Sequence, residues 1–271
     1  MCRKMGPALL AGNTIVIKSH EGTPISALEI AQLSSQLDFP PGVINVVSGT
    51  GEGIGAALVR HPIPRLITLT GSVRAGKEIF RAAADDLKLL RLELGGKAPF
   101  VVAEDADIGA AVRAAVLSRF ENCGQICICN ERMYVHRRVA DEFLDKFTRA
   151  VKALKVGDPS TMVDIGPKFS GPELDKVERM VEQARAAGAG VLTGGRRLPE
   201  GELARGHWYE PTVMTVEDNQ MRIMQDEVFG PVVPVMTVGD FDEGLRLANE
   251  SNYGLSAYVF TKDMRRVMRL V

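Results

Sequence analysis

Thr14-Ile15-Val16-Ile17-Lys18 is a β-branched, apolar run, and the Thr23-Pro24 pair after it reads as an N-cap and first helical residue, opening a helix through about Leu37. That is one β-α step. Val43-Ile44-Asn45-Val46-Val47 repeats the strand signal, Gly49 to Gly55 supplies a flexible turn, and Ile54 to Arg60 begins a second helix. Leu66-Ile67-Thr68-Leu69 and the stretch Ser72 to Ala84 make a third unit. Strands alternating with helices at this spacing predict a parallel sheet with helices on its faces, so the first part reads as doubly wound α/β.

The pair Gly95-Gly96 lets a chain change direction without steric cost, and we place a domain boundary there. Beyond it the alternation resumes with a strand at Pro99 to Ala103, a helix from about Asp107 to Phe120, a strand at Met133 to His136 and a helix from about Val139 to Ala153. An amphipathic helix near Glu173 to Ala187 and a short strand near Val191-Leu192 follow. A Gly-rich stretch, Gly194 to Gly206, then precedes Trp208 to Thr212, and Val232 to Val238 is apolar enough for a buried strand.

With 271 residues, 45% of them hydrophobic and 25% charged, the chain holds enough apolar surface for one large domain or two. Lys and Arg number 33 against 34 Asp and Glu, a formal charge of -1, which leaves no electrostatic footprint for nucleic acid or a membrane surface. The opening Met1-Cys2-Arg3-Lys4-Met5-Gly6 is too short of apolar length for a signal peptide, and no later run reaches the length of a membrane span, so the expected compartment is the cytoplasm. Three of the four cysteines, Cys123, Cys127 and Cys129, crowd into one segment, which suits a reducing compartment better than a disulfide framework. A metal reading of that trio is poor, because no Cys-x-x-Cys pair or spaced histidine completes a tetrahedral site. His20, His61, His136 and His207 show no ligand or triad spacing.

Two motifs carry the chemistry. Leu92-Glu93-Leu94-Gly95-Gly96-Lys97 offers a carboxylate able to activate water, and Gly124-Gln125-Ile126-Cys127 offers a sulfur nucleophile. With Phe229 in Glu227-Val228-Phe229-Gly230-Pro231, and in this order along the chain, they resemble the NAD(P)-dependent aldehyde dehydrogenase superfamily. The resemblance runs from Thr14 almost to Val271. The run Asn122-Cys123-Gly124-Gln125-Ile126-Cys127-Ile128-Cys129 is most similar to the lactaldehyde and glycolaldehyde dehydrogenase branch.

The resemblance implies an aldehyde dehydrogenase-like α/β fold: a partial dinucleotide-binding domain over 1–94, then an α/β catalytic domain over 95–271 whose C-terminal part is missing. Both ends of the family pattern, including an oxyanion loop bearing an asparagine, would lie before Met1 or beyond Val271, so the expected chain is truncated. In its full-length form a homo-oligomer is expected.

Cysteine suits carbonyl attack, yet at a free pKa of about 8.5 only a few per cent is thiolate at neutral pH. A lowering worth roughly 2 kcal/mol is within reach of a few oriented N–H donors or a nearby cation. The family's nucleophile aligns with Cys127 through Gly124-Gln125, whereas Cys123 and Cys129 fall outside that role. The plain structural alternative is a buried small apolar residue. Glu93, between Leu92 and Leu94, is expected to sit in an apolar setting that raises its pKa toward a general base's range; the alternative is a solvated strand-end glutamate.

For the cofactor, Gly49, Gly51 and Gly55 fall short of the Gly-x-Gly-x-x-Gly fingerprint because position 54 is isoleucine, and alone they describe an ordinary strand-to-helix turn. The resemblance gives weight to Gly51 and Gly55 and, more, to Thr70-Gly71-Ser72, where a helix start would face a pyrophosphate. Lys18 and Glu21 match the pair that meets the adenosine ribose, with Glu21 tilting the choice toward NAD, NADP remaining possible and Lys18 partly offsetting the tilt. A surface ion pair is the alternative there. Gly95 gives space beside the base, while Glu227 and Phe229 match residues at the nicotinamide ribose and ring; Phe229 alone also reads as a core anchor.

The reaction implied is attack by the Cys127 thiolate on a small aldehyde to give a thiohemiacetal, loss of hydride to the nicotinamide, and Glu93-assisted hydrolysis of the resulting thioester. The Cys127 N–H is one oxyanion donor, and the missing asparagine would cost on the order of 3 to 4 kcal/mol of transition-state stabilisation. Ile126 and Ile128 suggest a tight apolar collar for the substrate. Two other readings stay open: a coenzyme-A-acylating aldehyde dehydrogenase, which would not need Glu93, and a non-catalytic remnant serving as a binding module.

Overall fold

The computed structural model describes residues 1–198 and 201–270, so Pro199 and Glu200 of the Gly-rich stretch and the terminal Val271 lie outside the described residues. The chain divides into two compact units, Met1–Leu94 and Gly95–Val271.

In the first unit, α1 (Cys2–Leu10) precedes β1 (Ile15–Lys18), α2 (Ile25–Ser34), β2 (Ile44–Val47), α3 (Ala56–Arg60), β3 (Leu66–Thr70), α4 (Val73–Ala83) and β4 (Leu89–Glu93). The sequence gives no clear sign of α1, since Gly6 and Pro7 are poor helix formers. α2 starts one residue later than Thr23-Pro24 predicts, with Pro24 as its N-cap, and ends at Ser34, after which the chain tightens through the bonds Gln36 N–H to Leu33 O and Leu37 N–H to Ser34 O. Gly51–Gly55 forms a π-type turn, so the second helix begins at Ala56 rather than Ile54. β1 pairs with β2 and β3 with β4, both parallel, as β-α-β crossovers require. The strands form two pairs and not one ladder. Alternation along a chain reports which residues become strands, not which strands share an edge.

The second unit contains β5 (Ala98–Val102), α5 (Ile108–Phe120), β6 (Asn130–His136), α6 (Ala140–Lys152), α7 (Gly171–Ala186), β7 (Gly190–Thr193), β8 (Thr212–Thr215), α8 (Arg222–Gln225), β9 (Val232–Val238), α9 (Phe241–Asn249), β10 (Tyr258–Phe260) and α10 (Met264–Met268). Among the described residues its strands form one sheet in the order β10-β5-β6-β9-β8-β7, parallel except for β7 against β8. β6 and β9 are central, and every residue of β6 is buried, as expected for a strand covered on both faces.

The strand period of two sorts side chains between two cores. Phe100, Val102, Met133, Val135, Val233 and Val235 pack with α5 and α6 on one face, where Phe143 and Phe147 stack at 5.4 Å between ring centres. Val101, Tyr134, Val232, Met236 and Val238 face α7 and α9. α5 opens on Asp107, whose side chain accepts the Ala110 N–H at 2.9 Å, the cap expected of an aspartate there. Among the described residues no helix is long and apolar enough to cross a membrane, and no three His, Cys, Asp or Glu side chains converge as a metal site would need.

Candidate active site

In the first unit each candidate cofactor residue follows the C-terminal end of a parallel strand, where open α/β sheets bind ligands. Lys18 ends β1 and its Nζ donates to Glu21 at 2.8 Å. The surface ion pair therefore exists, and the Lys18 hydrogen bond holds the exposed Glu21 carboxyl far down, at about 2. Gly51 and Gly55 lie in the turn after β2; a Cβ at Gly51 would meet nothing within 4 Å, so this backbone is open to close approach. Thr70, Gly71 and Ser72 are exposed at the end of β3. The Ser72 hydroxyl accepts the Ala75 N–H at 3.2 Å, leaving the N–H groups of Val73 and Arg74 without a partner inside α4.

Glu93 ends β4 directly beside this turn: it is in register with Thr70, and its carbonyl accepts the Gly71 N–H at 3.0 Å. The apolar setting expected for its side chain is not found. The carboxylate is 40% exposed and faces Arg3 at 3.5 Å. In a strand, neighbouring side chains point to opposite faces, so Leu92 and Leu94 flank Glu93 in sequence without desolvating it.

In the second unit the chain between α5 and β6 makes an unusual turn in which Asn122, Cys123 and Gly124 all take left-handed backbone, at φ 50°, 60° and 69°. Gly124 cannot be replaced without collision, because a side chain there would strike the Gly230 carbonyl and the Arg119 guanidinium. Gln125 braces the turn: its amide nitrogen donates to Asn122 O at 3.0 Å and Pro167 O at 3.3 Å, and its oxygen accepts the Phe169 N–H at 3.0 Å. The three cysteines then separate by environment. Cys123 and Cys129 are buried, and burial pushes the first thiol up to about 11 and the second upward as well. Cys127 is half-buried, with a free thiol, and its backbone N–H meets no acceptor among the described residues. Ile126 is half-buried, but Ile128 is 48% exposed, so the pair forms no closed collar.

Gly95, Glu227 and Phe229 gather around the same loop. A Cβ at Gly95 would come within 2.6 Å of Glu227 Oε2, and Glu227 Oε1 accepts the Gly96 N–H at 2.9 Å. Burial raises the Glu227 pKa, with the Gly96 N–H working against it. Gly96 in turn lies against the Cys127 carbonyl, too close for any side chain.

Beneath these residues lies an ionic cluster that the sequence did not disclose. Lys97 Nζ meets Glu131 Oε2 at 2.9 Å and Arg119 meets Glu131 Oε1 at 3.2 Å, all fully buried. Glu131 also accepts the N–H groups of Val228 at 2.7 Å and Phe229 at 2.9 Å, while Arg119 donates to Gly124 O at 2.8 Å. Burial alone would raise the Glu131 pKa; Lys97, Arg119 and the Val228 N–H reverse that and hold it at about 2. One carboxylate thus joins the Gly95-Gly96 segment, the cysteine loop and the Phe229 turn.

The aldehyde dehydrogenase family model matches residues 1–271, and the chain belongs to that family. A 3,6-anhydro-alpha-L-galactose dehydrogenase from Vibrio sp. (strain EJY3) is 47% identical over 269 residues, 99% of this chain and 56% of that protein. Lactaldehyde dehydrogenase from Escherichia coli superposes with a TM-score of 0.95 at 40% identity, over 98% of this chain and 56% of that one. PnpE in complex with nicotinamide adenine dinucleotide gives 0.96 at 42% identity, over 98% and 55%. The chain spans about half the length of the relatives it matches.

Proposed function

We propose that, in its full-length form, this protein oxidises a small aldehyde to its carboxylate with NAD, through a thiohemiacetal and a thioester on Cys127. One observation carries the reading: of the three clustered cysteines, burial holds Cys123 and Cys129 as thiols, while Cys127 is half-buried beside Gly96 with an open N–H. A thiolate forms where water and donors reach the sulfur. The Cys127 N–H, without an acceptor among the described residues, is available as one oxyanion donor.

The residues present suit a dinucleotide. Glu21, ionised down to about 2, is an acceptor for ribose hydroxyls, the open backbone at Gly51, in the same turn as Gly55, and the first-turn N–H groups after Ser72 suit a pyrophosphate, and Glu227 offers a second ribose acceptor beside Phe229. When bound, NAD supplies the hydride acceptor. Cys127 forms the bond to the aldehyde carbon. Glu93 takes the proton from the water that cleaves the thioester, and its exposed position at the end of β4 leaves it open to that water.

Lactaldehyde and 3,6-anhydro-α-L-galactose, the aldehydes in the names of two relatives, are the first substrates to try. The test is an assay of the full-length protein for NADH and for free carboxylate, with and without coenzyme A. Carboxylate released without coenzyme A, and lost in Cys127→Ala, supports the reading; release only as a coenzyme A thioester overturns it.

A further inference from the structure

Phe229 holds a left-handed backbone, φ 53°, that a bulky residue adopts only when its surroundings impose it. Two buried groups of opposite charge do so from either side of its peptide units. Glu131 accepts its N–H at 2.9 Å, and Lys168 Nζ donates to its carbonyl while lying 5.6 Å from its ring centre. Lys168 is 1% exposed, and its own N–H is tied to His207 O at 2.8 Å. It is also the middle residue of a segment whose two neighbours, Pro167 and Phe169, are the groups Gln125 grips from the cysteine loop. Three consecutive residues therefore hold the Cys127 loop by their backbone and Phe229 by a side chain.

We propose that Pro167-Lys168-Phe169 is a strut that sets the spacing between Cys127 and Phe229, and that Lys168 is the positioning residue at its centre. The proposal rests on the reading of Phe229 as the residue packed at the nicotinamide. Lys168 acts through Phe229, holding its carbonyl and lying against its ring. Loss of the ammonium leaves the Gln125 bonds to Pro167 and Phe169 intact, so the cysteine loop keeps its brace. The consequence is a selective effect on cofactor binding.

The test is a double-mutant cycle in the full-length protein on Lys168→Met, which keeps the apolar stem, and Phe229→Ala. Three readings are taken: the NAD dissociation constant, kcat, and the rate of Cys127 alkylation by iodoacetamide without cofactor. Each single variant is expected to weaken NAD by about tenfold, and the double variant to be within about twofold of Phe229→Ala alone, because coupled residues are not additive. Alkylation of Cys127 is expected to stay within about twofold of wild type, which general damage to the site would not allow. Lys168→Gln, which retains a shorter donor, should move NAD binding in the same direction and provides the test if Lys168→Met does not fold. Additive losses, or normal NAD binding in both Lys168 variants while Phe229→Ala is impaired, would overturn the strut. Normal NAD binding in Phe229→Ala would overturn the underlying reading of Phe229, and the strut with it.

Discussion

Glu131, the second residue of β6, accepts the Phe229 amide N–H at 2.9 Å, tying the turn before β9 to a buried carboxylate. With Lys97 and Arg119 on the same carboxylate, removal of its charge leaves two buried cations uncompensated. Glu131→Gln is therefore expected to destabilise the protein by roughly 3–5 kcal/mol, read as a lowered urea midpoint at unchanged slope. The pH dependence has a definite sign. The folded carboxyl titrates at about 2 against an ordinary 4.5, so its contribution is complete above 4.5 and is lost as pH falls toward 2. Wild type should lose stability across that window, and Glu131→Gln should lose less.

Alkylation at varied pH separates the cysteines. Cys123, pushed up to about 11, should react slowly below pH 9, whereas Cys127 should carry the fast label. Cys127→Ala is expected to abolish both fast labelling and oxidation, and Cys123→Ala to leave measurable activity. Equal loss in the two variants would place the nucleophile elsewhere.

Glu21→Gln removes the carboxylate and frees Lys18, whose Nζ it now holds at 2.8 Å. NAD binding should weaken and NADP binding improve, because the released ammonium can meet a ribose phosphate. The effect should be modest, about a few-fold in the ratio of dissociation constants, as exposed pairs are weak. An unchanged ratio counts against the ribose assignment.

Gly124→Ala should be far worse than a surface glycine replacement. The position combines φ 69° with contact to Gly230 and Arg119, so the methyl must displace the cysteine loop from the Phe229 turn. Loss of activity together with a lowered melting temperature is expected; near-normal values of both would mean that the loop tolerates displacement.

The strands with dense β-branched or apolar runs were legible in the sequence, and Val232 to Val238 is a strand over those same residues. β6 was read from Met133, three residues short, because Asn130-Glu131-Arg132 looks solvated, whereas in the fold these charges are neutralised by Lys97, Arg119 and backbone groups remote in sequence. No local pattern links residues 97, 119, 131, 168 and 229, so the cluster becomes visible only once β5, β6 and β9 lie side by side. α9 was missed, although in the fold the Asp240 side chain accepts the Glu243 N–H at 2.8 Å and the Glu243 carboxylate accepts the Gly239 N–H. β4 was missed because Lys88 and Arg91 interrupt its apolar run, and with it the register that sets Glu93 beside Thr70.

The central claim, a thioester on Cys127 released by Glu93, is tested most directly by trapping it. Full-length Glu93→Gln mixed with NAD and lactaldehyde should give a burst of NADH near one equivalent per site and then very slow turnover, since hydride leaves before a base is needed. Rapid acid quench and peptide mass mapping of the burst sample should place the acyl mass on the peptide carrying Cys127, and on the Cys127 sulfur itself. An acyl mass on Cys123 or Cys129, or a full burst of NADH with no covalent acyl group on the protein, would contradict the account.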